Sequence, residues 1–263
     1  MVVEHGSESA AIRVLTLNAH QGFAAIHRRR LLARIRDALR EFGADLVFLQ
    51  EVGGDRRDEI PQQHYELLAD QVWPQHAYGR NVVATSGHQG NALLSKFPIV
   101  RWQNVDVSVD GVEPRGLLHC VLDVQQAGPP LHTVCVHLGL REAQRQWQID
   151  RLLEFVANVI PRDAPLVIAG DFNDWRESAH RRLLADPSLA EIHASANKRP
   201  ARTFPSRWPW LRLDRIYVRN LQHRPLEIPR RSWSALSDHA PLAGEVSLGA
   251  SVNYSSSRID FPR

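Results

Sequence analysis

Apolar stretches of this chain repeatedly end on a polar or ionisable residue. The five clearest ones lead to Asn18, to Glu51, to His137, to Asp171 and Asn173, and to Asp238 and His239. Apolar runs of about four to six residues are typical of buried strands. A polar group at the end of such a strand is costly to bury unless it is paired or binds a metal. The pattern therefore predicts strand ends that converge on one acidic, histidine-containing pocket, as in an enzyme that uses a divalent cation.

The order strand, helix, strand occurs twice along the chain. The first half has it at 12–17, 24–42 and 45–50, and the second half repeats it at 131–136, 141–160 and 166–169. Asn18 and Glu51 follow the two strands of the first half, and His137 and Asp171 follow those of the second, with spacings of 33 and 34 residues. Two such halves, stacked sheet to sheet with helices outside, predict an α/β fold: a four-layer α/β/β/α sandwich of two mixed β-sheets with a pseudo-two-fold internal repeat.

The rest of the chain completes one predicted domain. Shorter strands are expected at 81–84, 92–94, 117–124, 215–218 and 240–246, a hairpin loop at 125–130, a short helix at 178–185 and an irregular stretch from there to 211. Because candidate site residues come from both ends, we expect a single catalytic domain at 12–249. An N-terminal extension at 1–11 and a polar tail at 250–263 flank it.

Composition narrows the class of protein. Apolar residues make up 43% of the chain and charged residues 23%, as in a globular protein with a core. The net charge is only +3. Almost all of the cations are arginines, which suits bidentate phosphate contacts but can equally follow from genome composition, and the arginine clusters at 28–30, 56–57, 181–182 and 230–231 are expected on solvated faces. Cys120 and Cys135 lie inside apparent strands and are expected as buried thiols. No secretory signal or transmembrane run is visible, which predicts a cytoplasmic protein, and nothing indicates its oligomeric state.

The polar strand ends carry recognisable chemistry, although each has a plainer interpretation. Asp171 and Asn173 project to one side of an extended chain and could hold a water and a phosphate oxygen, or they could form a turn that caps the next helix. Asp238 could bind a cation while His239 faces an attacking water. Asp214 could orient that histidine, or it could pair with a neighbouring arginine at the surface.

Taken in chain order, these residues resemble the motif set of the endonuclease/exonuclease/phosphatase superfamily. That superfamily includes pancreatic deoxyribonuclease, bacterial sphingomyelinases, inositol polyphosphate 5-phosphatases and apurinic endonucleases. The resemblance spans residues 12–243 and implies the four-layer sandwich. It also implies Mg²⁺ as the cofactor, with Mn²⁺ as a substitute. The motifs that carry it are Asn18, Gln50-Glu51, Gly170-Asp171-Phe172-Asn173, Asp214 and Ser237-Asp238-His239.

The resemblance implies a role for each residue that matches a motif. Glu51 would be the principal magnesium ligand, with Asn18 and Asp238 beside it. The remaining motif residues would be catalytic: Asp171 and Asn173 would position the attacking water and the phosphate, and His239, held by Asp214, would contact the phosphate or act as the base.

Three further positions match the superfamily less closely. His137 resembles the second histidine of the deoxyribonuclease and sphingomyelinase branches. Apurinic endonucleases have a tyrosine in that role, so their activity is not expected here. Arg115 and, more weakly, Asn91 resemble residues that contact the substrate phosphate, although a loop asparagine is also a common turn former.

The loop at 199–213 leads into Asp214 and combines arginines with Trp208 and Trp210. Together with Arg207, these rings could stack on the bases of single-stranded nucleic acid, dip into an anionic membrane surface, or pack on the core. The expected function is a magnesium-dependent phosphodiester hydrolase, first of all a nuclease acting on DNA or RNA. The alternative is a phosphodiesterase or phosphatase for phospholipids or small molecules. A non-catalytic binding module is disfavoured, because it has no need for Asp171, Asp214 and His239 together.

Overall fold

The computed structural model describes residues 11–20, 25–55, 64–69, 72–84, 87–124, 128–229 and 233–248. Nearly all of the expected N-terminal extension, the whole of the tail at 250–263, and the arginine pairs at 56–57 and 230–231 lie outside these ranges. Among the described residues, none of the helices has the length and apolar character needed to cross a membrane.

Two six-stranded mixed sheets form the centre of the molecule. The first sheet has the order β11-β12-β1-β2-β4-β3 and the second β5-β6-β7-β8-β10-β9. The strands are β1 (Ile12–Asn18), β2 (Leu46–Asp55), β3 (Gln75–Ala84), β4 (Gly87–Ser95), β5 (Ile99–Asp106), β6 (Gly116–Leu122), β7 (Leu131–His137), β8 (Leu166–Asp171), β9 (Ala190–Glu191), β10 (Asp214–Arg219), β11 (Gln222–Leu226) and β12 (Leu242–Ser247). The helices are α1 (Ala25–Phe42), α2 (His64–Ala69), α3 (Glu142–Val159), α4 (Ser178–Leu183) and α5 (Ile192–Asn197).

The predicted repeat is present as two parallel β-α-β units. In the first sheet β1 pairs in parallel with β2, and in the second β7 pairs in parallel with β8. Helix α1 begins at Ala25, as predicted to within one residue, and presents Leu32, Ile35 and Leu39 to the sheet at helical spacing. It ends at Phe42, and the following Gly43, with a φ of 74°, donates its N–H to the carbonyls of Leu39 and Arg40.

Three apolar clusters account for four layers. The one between the sheets contains Val14 and Phe48 from the first sheet and Leu118 and Ile216 from the second. A second cluster packs α1 on the outer face of the first sheet, and a third packs α3, through residues such as Ile149, on the outer face of the second. The four-layer α/β/β/α sandwich is therefore confirmed.

The helices and strands that were not predicted from the sequence are those with little apolar patterning. The edge strand β5 is largely exposed along its length, so no apolar run marks it. The expected strand at 81–84 proves to be the end of the ten-residue strand β3, and the stretch expected to be irregular contains β9 and α5. The sequence also missed α2 and β11, the latter a half-exposed strand at the edge of the first sheet.

Candidate active site

The ends of β1 and β2 bring Asn18 and Glu51 together. Asn18 pairs with Gln50 across the two strands, and the register between β2 and β4 shifts between Leu49 and Val52. This irregularity leaves Glu51 with a φ of 59°, a left-handed conformation that is uncommon outside glycine. Its side chain consequently turns toward Asn18, whose Nδ2 lies 3.4 Å from Glu51 Oε1.

The ends of β7 and β8 supply the opposite wall. His137 pairs with Asp171 across these strands. The preceding Gly170 is required by close packing, because a Cβ there would lie 2.0 Å from the carbonyl oxygen of Val136. Asn18 Nδ2 donates to Asp171 Oδ2 at 3.0 Å, so one amide links the ends of both sheets.

His137 lies between the carboxylates of the two walls. Its Nε2 is 3.8 Å from Glu51 Oε1 and 3.7 Å from Asp171 Oδ2. The ring is buried, and burial lowers the pKa of His137 to about 3, with the nearby charge of Arg115 acting in the same direction. The ring is therefore a neutral imidazole near neutral pH.

The Asp171-to-Asn173 segment is a tight, buried turn. The N–H of Asn173 donates to Asp171 Oδ1 at 2.8 Å, its side-chain Nδ2 donates to the carbonyl of Leu138 at 2.8 Å, and its φ is 47°. The alternative interpretation, that these residues cap the next helix, does not hold. Asp174 does that instead, since its carboxylate accepts the N–H groups of Ser178 and His180.

Asp214 and His239 form a buried hydrogen-bonded pair. Asp214 lies opposite Asp171 on β10, and its Oδ2 is 2.9 Å from His239 Nδ1. The other ring nitrogen of His239 is 3.8 Å from Asp171 Oδ2. A surface pairing of Asp214 with an arginine is therefore excluded.

The charge state of His239 is the reverse of that of His137. Burial disfavours its charged form, but the charge and hydrogen bond of Asp214, together with the charges of Asp171 and Asp238, outweigh this and raise the pKa of His239 to about 10. One pocket thus contains a protonated and a neutral imidazole, both close to Asp171.

The Ser237-to-His239 loop is fastened to β1. Ser237 Oγ donates to the carbonyl of Asn18 at 2.6 Å and accepts the N–H of His239 at 3.1 Å. Asp238, between them, is exposed. The predicted cation ligand therefore faces solvent, and its Oδ1 lies 3.4 Å from Ser237 Oγ.

The donor set suits a hard divalent cation. Asn18 Oδ1 is buried and has no hydrogen-bond partner among the described residues, and oxygens of Glu51 and Asp171 both lie at the Nδ2 end of the same amide. Carboxylate and amide oxygens are the ligands that Mg²⁺ takes in proteins. The atoms of Asp171, Asp214 and His239 also lie within 4.8 Å of one another. We attribute that grouping to the Asp214–His239 hydrogen bond, because the ring nitrogen involved already has its partner.

Arg115 and Asn91 were both expected to contact the substrate phosphate, and they differ in whether their positions allow it. Arg115 is partly buried, and while burial lowers its pKa, the carboxylates of Glu113, Glu51 and Asp171 favour its charged form. The guanidinium of Arg115 is thus close enough to the pocket carboxylates to interact with their charges. Asn91 lies in β4, not in a loop as expected, and is fully buried. Its Nδ2 donates to the carbonyls of Gly116 and Cys135 in the other sheet, at 3.0 and 3.3 Å, so it ties the sheets together.

Residues 203–211, here called the tryptophan hairpin, form a wall beside His239. Backbone hydrogen bonds join Phe204 and Leu211, and the Phe204 ring lies 5.0 Å from the His239 ring. Trp208 and Trp210 are 82% and 62% exposed, and Arg207 is exposed as well. The alternative in which these tryptophans pack on the core is wrong.

Sequence reasoning missed two residues that contact Glu51. His20 Nδ1 lies 2.7 Å from Glu51 Oε2, and Gln89 Nε2 lies 3.3 Å from the same oxygen. His20 is only two residues beyond Asn18, and this nearness in the chain could have identified it as a candidate site residue. Gln89 reaches the site only through the pairing of β2 with β4, and the sequence alone does not show that pairing.

The fold and the pocket define a class of protein: a two-sheet sandwich whose strand ends hold carboxylates, amides and imidazoles around one cavity. The model of the Endonuclease/Exonuclease/phosphatase family matches residues 15–239, and the chain belongs to that family. Its members hydrolyse phosphoesters, typically with a divalent metal.

The chain is also similar to individual proteins, and the solved structures among them share its fold. The chain is 49% identical over 250 residues to the uncharacterized protein YbhP of Escherichia coli K12, covering 92% of this chain and 98% of that one. Among solved structures, an endonuclease/exonuclease/phosphatase from Bacteroides vulgatus superposes with a TM-score of 0.69 at 16% identity, covering 91% of this chain and 99% of that one. A humanized TDP2 of D. rerio superposes with a TM-score of 0.68 at 19% identity, covering 90% and 99%.

Proposed function

We propose that the chain is a divalent-cation-dependent phosphodiester hydrolase whose centre is Asp171. The observation that carries this proposal is that Asp171 contacts Asn18 and lies within 3.8 Å of both His137 and His239. A buried carboxylate that lies close to one neutral and one protonated imidazole is suited to orient water against a phosphate.

Asn18, Glu51 and Asp238 would hold the cation, with Mg²⁺ as the first choice and Mn²⁺ as a substitute. The unpartnered Oδ1 of Asn18 supports this, since a buried carbonyl oxygen without a donor is costly. The bound cation supplies positive charge that offsets the negative charge developing on the phosphate oxygens.

The protein groups would move the protons. Asp171 accepts a proton from the attacking water, and Asn173 holds the turn that aims its carboxylate. The new phosphorus–oxygen bond forms as the bond to the leaving oxygen breaks. His239, protonated and held by Asp214, donates its Nε2 proton to that oxygen. His137 and Arg115 stabilise the non-bridging oxygens. Because its pKa is raised, His239 is assigned as an acid and not as the base.

Nucleic acid is one of two candidate substrate classes, and it is the one that the sequence favoured. The tryptophan hairpin presents two exposed rings and Arg207 next to His239, and such rings stack on unpaired bases. A nuclease of this kind cleaves DNA or RNA that lies across the pocket mouth.

Phospholipid is the second substrate class, and a separate observation favours it. Leu140, three residues beyond His137, is 58% exposed. An exposed aliphatic side chain offers no flat face for a base, but it does suit an acyl boundary.

A phosphodiester panel tests the reaction. Plasmid and single-stranded DNA, RNA, sphingomyelin, phosphoinositides and bis(p-nitrophenyl) phosphate are incubated with the protein and Mg²⁺ or Mn²⁺, then with EDTA. We expect hydrolysis of at least one substrate, lost with EDTA and reduced on the order of 10³-fold in Asp171→Asn. Asp110→Asn, an exposed carboxylate in a turn, is the matched control. Full activity in Asp171→Asn, or in EDTA, would contradict the proposal.

A further inference from the structure

Four exposed large apolar side chains are carried by the segments that form the pocket, and together they are called the apolar rim. They are Leu140, Trp175, Trp208 and Trp210, exposed by 58%, 42%, 82% and 62%. Each follows or precedes a site residue closely in the chain: Leu140 follows His137, Trp175 follows Asn173, and the two tryptophans of the hairpin precede Asp214. Solvent-exposed tryptophans grouped at a site mouth are an interaction signal, whereas scattered ones are not.

Specific contacts connect the members of the rim. Arg145 donates to the carbonyl of Leu140, and its guanidinium carbon lies 4.4 Å from the centre of the Trp175 ring. On the other side, Arg212 Nη1 lies 3.7 Å from Glu177 Oε1, which joins the end of the hairpin to the loop that carries Trp175. These contacts therefore link the three segments that carry the four side chains.

The hairpin presents its tryptophans on a fixed support. Ser206 donates its N–H to the carbonyl of Asp238 at 2.7 Å, and Ala240 donates to the carbonyl of Thr203 at 2.7 Å. Thr203 Oγ1 in turn accepts the N–H of Asp214 at 3.2 Å. The rings are exposed although backbone hydrogen bonds tie the hairpin to Asp238 and Ala240, so a partner that covers them meets a preformed surface.

The segment that carries the hairpin is rich in cations. Residues 198–213 contain five cations, Lys198, Arg199, Arg202, Arg207 and Arg212, and only the final strand-end carboxylate, Asp214, follows them. The exposed cations Lys198, Arg199 and Arg202 precede the hairpin, and its far end carries the two tryptophans separated by Pro209. Apolar rings at the tip, with exposed Arg207 beside them and further cations at the base, suit a headgroup boundary, where rings insert and cations meet phosphates.

We propose that the apolar rim seats the protein on an anionic phospholipid surface, so that the pocket opens toward the headgroups. This inference rests on the proposed function for its consequence, hydrolysis of a headgroup phosphodiester, but the docking itself does not require catalysis. Arg207 and the two rings would suit either partner, but Pro209 and exposed Leu140 offer no flat face to a base, so the surface is assigned to lipid and nucleic-acid binding by the same tryptophans becomes an outcome of the test. Of the hairpin's flanking arginines, Arg212 already pairs with Glu177 and with the carbonyl of Pro200.

Vesicle flotation tests the docking. The full chain is floated with vesicles of phosphatidylcholine alone and with vesicles containing about one-third phosphatidylglycerol, at low and physiological salt. We expect binding to the anionic vesicles, weakened by salt, and a loss of affinity on the order of tenfold or more in the double variant Trp208→Ala, Trp210→Ala. Trp102→Ala is the matched control, because Trp102 is 49% exposed but lies on the edge strand β5. It should bind as the wild type does.

Three outcomes would overturn the proposal. The wild type fails to bind anionic vesicles, the double variant binds as well as the Trp102→Ala control, or the double variant loses single-stranded DNA binding while keeping vesicle binding. Thermal unfolding of each variant shows that it is folded. Hydrolysis of bis(p-nitrophenyl) phosphate by the wild type separates the two claims. Vesicle binding without hydrolysis of any phosphodiester refutes the proposed reaction alone, and hydrolysis without vesicle binding refutes the docking alone.

Discussion

Asp214 Oδ2 lies 2.9 Å from His239 Nδ1, and Asp214 is itself the cross-strand neighbour of Asp171. The hydrogen bond fixes the ring so that its other nitrogen faces Asp171 at 3.8 Å. One buried carboxylate thus determines both the orientation and the charge of the imidazole that we assign as the acid.

Replacing Asp214 with asparagine should separate these two effects. The amide keeps the shape but removes the charge, so we expect kcat/KM to fall about 10²–10⁴-fold. His239 acts in its protonated form, and activity is therefore lost as pH rises through its pKa. Because that pKa, about 10 in the wild type, falls without Asp214, the alkaline loss should move to lower pH. A pH profile of kcat/KM measures this, with Asp110→Asn as the control. An alkaline limb that does not move would contradict the assignment.

The layers and the strand ends of the site could be predicted because they depend on local patterning. Apolar runs that stop on a polar residue marked Asn18, His137 and Asp171, and the doubled order of strand and helix implied two stacked sheets. Those features require no knowledge of which strand pairs with which. The chemistry at the strand ends then follows from the direction of parallel strands in each half.

What could not be predicted depends on contacts between distant segments. The bulge that turns Glu51 toward Asn18 arises from pairing with β4, and the hydrogen bond from Asn18 to Asp171 joins residues 153 positions apart. The interior position of Asn91 follows from the spacing of the two sheets, which no local pattern encodes. The exposure of Trp208 likewise depends on how the hairpin is fastened to the Ser237 loop.

Cation binding should be visible without any substrate. If Asn18, Glu51 and Asp238 hold the cation, Mg²⁺ binds the folded state alone and raises the unfolding temperature. The gain is about 2.7 kcal/mol when its concentration is 100 times the dissociation constant. In Glu51→Gln, we expect that about 10–100-fold more Mg²⁺ is required to reach the same shift in unfolding temperature. Differential scanning calorimetry across a Mg²⁺ titration measures it, with exposed Glu154→Gln as the control. Identical titration curves for both variants would count against Glu51 as a ligand.

Asp174 and Arg215 should be a strongly coupled pair. Both side chains are fully buried, with Arg215 Nη1 3.3 Å from Asp174 Oδ2 and Nη2 2.9 Å from the Asp174 carbonyl. Arg215→Met leaves the carboxylate without its cation, and we expect the free energy of unfolding to fall by about 3–5 kcal/mol. The double variant Asp174→Asn, Arg215→Met should cost less than the sum of the single changes. Urea denaturation measures each. Arg224→Met, which breaks an exposed pair with Glu245, should cost under about 1 kcal/mol.

The stacked pair His119 and His132 should make the fold sensitive to mild acid. His119 Nε2 lies 3.0 Å from His132 Nδ1, and both rings are buried between the second sheet and α3. Burial lowers the pKa of each to about 4, with the charge of a neighbouring cationic group adding to the effect. Both are neutral in the folded state while the unfolded chain takes up protons near pH 6.5, so stability is full above that pH and declines as the pH falls toward 4.

Substituting the pair tests this linkage directly. Each proton taken up only on unfolding contributes a slope of about 1.4 kcal/mol per pH unit. In the double variant His119→Gln, His132→Gln we expect the pH dependence of the unfolding free energy between pH 4.5 and 6 to flatten, by up to roughly twice that slope. Other buried histidines, such as His137 and His180, titrate in both proteins and cancel from the comparison. Urea denaturation at half-unit pH steps measures both slopes. Above pH 7.5 the two proteins should differ by a constant amount, and parallel curves at acidic pH as well would show that the pair does not carry the linkage.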